Sequence, residues 1–163
     1  MALDNSAKMV NMKRSLDLYC HTNLKTTEGL NVDFEGLPFD NIEVQSWIQP
    51  RMIGYSGKMY PSGASGQYAE DLNILFQVNI FTKKSGSTNT LQHYAIRDMV
   101  ANHFRLGQDI PLYDYNSSGV TTALLANFRV RNVANDMPVP ETNELNQYVY
   151  AVDMQWTRLT TKP

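Results

Sequence analysis

The sequence predicts an α+β fold: two main helices flanking a mostly antiparallel or mixed β-sheet. Three observations lead there. Residues 6–24 and 88–104 repeat apolar side chains at spacings of three and four, the helical period. Several other stretches alternate apolar and polar residues, the strand period. Their order is helix, three strands, helix, then two or three strands, which segregates the helices against an antiparallel sheet. With 163 residues, the chain is expected to form a single domain, 1–163, with a core of its own.

In the first helix, 6–24, Met9, Met12, Leu16, Tyr19 and Cys20 share one face. Asp4, Asn5 or Ser6 supplies a cap for the first turn, and Gly29 marks the stop. A short strand follows at 30–34, where Leu30, Val32 and Phe34 alternate, then a link containing Gly36 and Pro38. The next strand spans 42–53 through Ile42, Val44, Ile48 and Met52. Pro50 cannot donate to a ladder, which places it at an edge or a bulge. Trp47 falls off that alternation and awaits cover from a helix or another subunit.

"IGYSGKMYPSGASGQYAED", 53–71, interrupts the strands, with Met59 its one long apolar side chain between Ile53 and Leu72. A loop this long in a small domain is functional or disordered. The clearest period of two comes next, at 71–81, with Leu72, Ile74, Phe76, Val78 and Ile80 facing the core. Ser87 or Thr88 caps the second helix, 88–104, whose core face carries Gln92, Ile96, Met99, Val100, His103 and Phe104. Gly107 stops it. "DIPLYDYNSSG" predicts a short strand and a turn, 124–133 a further strand, "NDMPVPETNELNQ" a connection, and 148–159 the last strand. Phe76, Val78, Ile80, Ile96, Val100, Phe128, Val152 and Trp156 are the expected core.

Composition narrows the function. Hydrophobic residues make up 42% and charged ones 18%, too apolar for a disordered chain. The net charge of −2 and pI near 5.9 weigh against a dedicated nucleic-acid binder. Cys20, the single cysteine, forms no internal disulfide and builds no Cys-based zinc site, and it fits a reducing compartment. No basic segment followed by an apolar run opens the chain, so no export signal is expected and the sequon 116–118 carries no weight. The longest apolar run, Ala123 to Ala126, is far short of the roughly 20 residues of a membrane span.

Catalytic patterns fail on spacing. Gly57-Lys58 lacks the glycine five residues earlier and the Ser or Thr after it that a phosphate loop needs; Met52 and Met59 stand there. Ser65, between Gly63 and Gly66, lacks the spacing of a nucleophile elbow. His93 and His103 sit roughly 15 Å apart along one helix and cannot share a metal. His21 complements the first helix's C-terminal dipole, and Cys20 reads as a packed thiol. No carboxylate pair demands a shared site. No enzyme activity, cofactor or metal is expected. Arg129 and Arg131 alternate on one strand, with Lys83 and Lys84 in a turn. They form either a solvated face or a basic rim for an acidic partner or passing DNA.

A resemblance runs along nearly the whole chain. An N-terminal helix precedes "VDFEGLPFDN" and "IEVQSWIQPR". "ILFQVNIF" and "TKKSG" lead into the helix "AIRDMVANHFRLGQ", and the strand "YVYAVDMQW" closes the succession. This resembles the tail terminator, or tail-to-head joining, proteins of long-tailed bacteriophages, most specifically in the spacing of "FQVNIF", Gly, Asp, "HF" and Gly. The resemblance implies an α+β structural virion protein that assembles as a ring, commonly of six subunits. The ring caps the tail tube at the tail–head junction, ends tube polymerisation and offers a surface to the head connector or neck protein. It also implies assembly in the host cytoplasm, and viral DNA passing through the lumen without sequence-specific binding. The long Gly/Ser/Tyr loop and the segment between Gly107 and Leu124 depart from shorter members, so nothing carries over there.

A homo-oligomeric ring needs two different contact patches on each subunit. Tyr55, Lys58, Tyr60 and Tyr68 on the loop, with Arg129 and Arg131, are the expected partner-binding residues, because tyrosine combines apolar area with a polar tip. The loop is either a contact arm, extended as a hairpin over 54–69, or a mobile surface loop. A different neck component, such as a head–tail connector or adaptor, would use the same kind of surface. A small enzyme or ligand-binding domain lacks motifs here, and a nucleic-acid module lacks charge.

Overall fold

The structure, a computed structural model, describes residues 3–62, 66–86, 89–140 and 142–161. It is α+β. Five strands form one antiparallel sheet: β1 (Ser46–Pro61), β2 (Gln67–Lys83), β3 (Asp109–Tyr115), β4 (Thr121–Val139) and β5 (Leu145–Thr161), in the order β1-β2-β5-β4-β3. Helices α1 (Met9–Cys20) and α2 (Gln92–His103) supply Met12, Leu16, Cys20, Ile96 and Val100 to one core on one face of the sheet.

β2 is why the sheet exists. Its period of two buries Leu72, Ile74, Phe76, Val78 and Ile80, and β5 answers it residue for residue with Trp156, Met154, Val152, Tyr150 and Tyr148. All eight core residues expected from the sequence are buried. The opposite face of the sheet carries rows such as Gln49–Asn79–Val149 and Arg51–Gln77–Ala151, and no described helix packs on it.

The first helix is built in three pieces. Asp4 accepts a hydrogen bond from the Ser6 backbone N–H at 2.8 Å and caps a 3₁₀ turn, Asn5–Ala7. α1 follows, and a π-helical stretch, His21–Thr27, completes it before Gly29, at φ +70°, turns the chain. α1 is fastened to β3 by polar groups. The buried Asn11 side chain donates to Asp114 at 2.8 Å and to the Asn5 carbonyl at 3.0 Å, and Ser15 accepts from the Tyr113 N–H at 2.9 Å. Met9, expected on the core face, is 46% exposed, because Asn11 and Ser15 hold the helix rotated toward β3.

At α2 the expected caps Ser87 and Thr88 lie outside the described residues. Asn89 accepts from the Leu91 N–H at 3.0 Å just before the helix begins. Its last carbonyls take bonds from two tyrosines: Tyr19 to His103 O at 3.0 Å and Tyr150 to Phe104 O at 3.1 Å. Met99 points out at 36% exposure while Ile96 and Val100 bury, so the core face is narrower than the periodicity suggests.

Four further expectations are corrected. Residues 30–34 form no strand: Val32 makes a single parallel bridge to Ile48, because one ladder position is all that β1's edge offers before the chain turns away at Gly36. The strand expected at 42–53 begins at Ser46, leaving Ile42 77% exposed, and runs on to Pro61. The Pro-containing connection is short, because 135–139 continue β4, whose outer edge tolerates Pro138. Trp47 is 5% exposed and finds its cover within its own chain. It stacks on Phe81 at 5.2 Å with Phe39 at 6.4 Å, and Lys83 pins the covering loop by donating to the Asn41 and Ile42 carbonyls.

Candidate functional site

The sequence 53–71 is a hairpin. β1 and β2 pair without a break from Gly54↔Leu75 to Pro61↔Tyr68. A one-residue bulge at Ile53 shifts the register where the strands leave the core. β5 accompanies the hairpin to Thr161, pairing Gln67, Tyr68 and Ala69 with Thr161, Thr160 and Leu159. β4 parts from β5 beyond Arg129↔Gln155. The result is a three-stranded arm. From Tyr55 to Pro61 its outer strand is roughly 20 Å long.

Glycine suits the arm at Gly57, where a Cβ would stand 3.2 Å from Leu72 Cδ2 and 3.3 Å from Glu70 Oε1. At its root the core ends in charge. Arg158 reaches Glu70 at 2.5 Å and Asp4 at 3.2 Å, and its side chain is only 13% exposed. Hydrogen bonds from Ser6, with Arg158 nearby, hold the Asp4 carboxyl below its ordinary value. Beside this lock, Trp156 donates its indole N–H to the Ser6 carbonyl at 3.1 Å and meets Phe128 edge-on at 4.7 Å.

The candidate residues divide. Strand pairing puts Tyr55 and Tyr68 on the helix-bearing face, with Ile74 and Thr160, and Lys58 and Tyr60 on the opposite face, with Asp71 and Ala69. Tyr55 belongs partly to the fold: its ring lies 6.5 Å from Trp156, and burial pushes its phenol up. Lys58 sits over the Tyr60 ring at 5.1 Å, and both are exposed. Arg129 shares the row Ser56–Asn73–Gln155–Arg129, about three strand spacings or roughly 14 Å from β1. It is held bidentately by Asp109 at 2.7 Å, and that bond lowers the Asp109 carboxyl. Arg131 occupies a second bulge, between Val130 and Asn132, which breaks the alternation that would have placed it beside Arg129.

Other contributors were not singled out from the sequence. Ile53, Met59 and Leu159 are 54%, 47% and 66% exposed, and with Tyr60 they make the arm apolar as well as aromatic. The available signal was the reach of strand alternation past Trp156 into "TRLTT", beyond any length the core needs. Gly63 and Ser65 lie outside the described residues. Among the described residues no group of three His, Cys, Asp or Glu side chains gathers at one point, and no helix is long and apolar enough to cross a membrane.

No family model and no curated protein matches the chain. Solved structures do. One superposes with a TM-score of 0.56 over 96% of this chain and 99% of its own length, at 13% identity. Agreement at that identity establishes a shared fold from end to end.

Proposed function

We propose that this chain is a structural virion protein that sits as a ring on the tail tube, ends its growth and joins the tail to the head. The three-stranded arm carries this reading. It stands beyond the Asp4–Arg158–Glu70 lock and holds Met59, Tyr60 and Leu159 in solvent, where they add nothing to the monomer core. Tyr60 and Leu159 flank Ala69 on one face of the arm and Met59 lies on the other, and exposed apolar side chains on such an extension suit association. The succession of elements that resembles tail terminators supplies the partner class: copies of the chain, the tube and the neck.

Electron microscopy of lysates from a phage lacking this gene tests the reading. Loss of a terminator gives tails of uncontrolled length without heads. Tails of normal length that fail to join heads would assign the chain to another neck component. Normal virions would remove it from the neck altogether.

A further inference from the structure

The arm's two outer strands leave main-chain groups unused, and their phase can be read from the ladder. The Lys83 N–H donates to the Gln45 carbonyl, and the Ser62 N–H to the Gln67 carbonyl, at 2.9 and 3.3 Å. With the bulge at Ile53 between them, odd-numbered β1 residues bond inward below it and even-numbered ones above it. Below the bulge the outward groups are partly used: Ile48 donates to Asn31 O and accepts from Asp33 N, both at 2.9 Å. This edge therefore already takes an extended segment of its own chain, bridged at Val32. Above the bulge, Tyr55, Gly57 and Met59 point their N–H and C=O groups outward, and no described segment pairs with them.

The other side of the arm is open as well. The Lys84 N–H donates to the Glu144 carbonyl at 2.9 Å, so even-numbered β5 residues face β2 and odd-numbered ones face away. Beyond Gln155 no described strand pairs with that outer edge, so Thr157 and Leu159 present free main-chain groups. Proteins normally protect edges with proline, charge or cover. Here proline appears only at Pro61, and the one charged β1 side chain above the bulge, Lys58, lies along Tyr60.

We infer that the arm joins copies of this chain head to tail, the β1 edge at Tyr55–Met59 adding to the β5 edge at Thr157–Leu159 of the next copy. β1 and β5 run in the same direction, each antiparallel to β2, so the junction is a parallel pair continuing the sheet. Side chains fit the continuation. The row Tyr60–Ala69–Leu159 is apolar on one face, and a neighbour's Leu159 extends it beside Tyr60. A contact made of two different edges is heterologous, the kind that closes rings. The inference rests on the arm being the assembly surface of the proposed ring, and not on what the ring caps.

Two single variants test it. Met59→Pro and Leu159→Pro each remove one outward N–H and leave the inner ladder bonds in place. Native mass spectrometry and sedimentation of the purified chain, from dilute solution to its solubility limit, should show closed oligomers for the wild type and monomers for each variant. Mixing the two variants should give a 1:1 heterodimer that grows no further, since each retains the edge the other has lost. Should either proline disturb hydrogen exchange within the hairpin, Met59→Lys and Leu159→Lys replace them, blocking the same edges with charge. Oligomers that persist in both variants overturn the edge junction and leave the ring reading standing. A wild-type dimer in which only the β1 edge gains exchange protection overturns the β5 partner. A wild type that is monomeric at its solubility limit overturns the junction, and tail length then decides the ring reading separately.

Discussion

The Trp156 indole N–H donates to the carbonyl of Ser6, 3.1 Å away and 150 residues earlier in the chain. One side chain thereby closes the core at the root of the arm, and Tyr55 leans on its ring. Beyond Trp156, Arg158 still ties Glu70 and Asp4 to the root, while Leu159 stands in solvent.

The two hairpin tyrosines should therefore behave differently. Tyr55→Ala removes the ring beside Trp156 and should lower monomer stability by about 1–2 kcal/mol. Tyr60→Ala should change it by less than about 0.5 kcal/mol, as for other exposed positions. Urea denaturation of each variant under monomeric conditions makes the comparison. Equal losses would mean that Tyr55 is not part of the core.

Phe128 is fully buried and meets Trp156 edge-on. Phe128→Ala should cost about 3–5 kcal/mol, through lost burial and the cavity left behind. A fall of less than about 1 kcal/mol in the same denaturation series would show that the neighbourhood of Trp156 collapses freely.

Acid should weaken the fold through Asp136. Hydrogen bonds from Arg97 and Tyr148 hold its carboxyl below the ordinary 3.8. A lowered carboxyl adds stability above its unfolded value, and that contribution is lost as pH falls through the folded one. Asp4 and Asp109 act in the same sense. Asp17, pushed up by burial, acts in the opposite one. Stability should thus hold level down to about pH 5 and fall below the ordinary carboxyl range. Asp136→Asn should lower the plateau and flatten the acid limb. An unchanged limb in thermal melts across that range would remove Asp136 from the account.

Cys20 is fully buried, and burial pushes its thiol far up, so it carries no thiolate at neutral pH. A thiol reagent at neutral to mildly basic pH should leave the native protein unlabelled and react once denaturant opens α1. Rapid labelling of the native chain would show that the α1 face against β3 opens readily.

The core was legible because β2 and β5 each bury one face, and a period of two survives in sequence wherever that is so. The hairpin expected over 54–69 is present, but the sequence does not place its strands residue by residue: they bury little, so no apolar alternation marks them. The start of β1 was misplaced because Ile42 and Val44 continue an alternation that the backbone does not follow; Ile42 stays in solvent, in the loop that Lys83 secures. Arg131 was misassigned for a different reason. A bulge inserts a residue without any composition of its own, so the phase of a strand can change unannounced. The lock of Asp4, Glu70 and Arg158 joins residues from three distant parts of the chain, and no local spacing reports it.

The single extra residue at Ile53 divides the labour of one strand. Proximal to it, β1 is committed to the hydrophobic interior, and any insertion would slide Ile48 or Pro50 out of place. Distal to it, the phase has been reset, so past Tyr55 the arm can lengthen, shorten or change its side chains without moving a residue on the core side of the bulge. Natural variation is then expected to concentrate past Ile53. On the proposed ring reading, related proteins would meet partners of different geometry by retailoring a hairpin while the interior stays as it is.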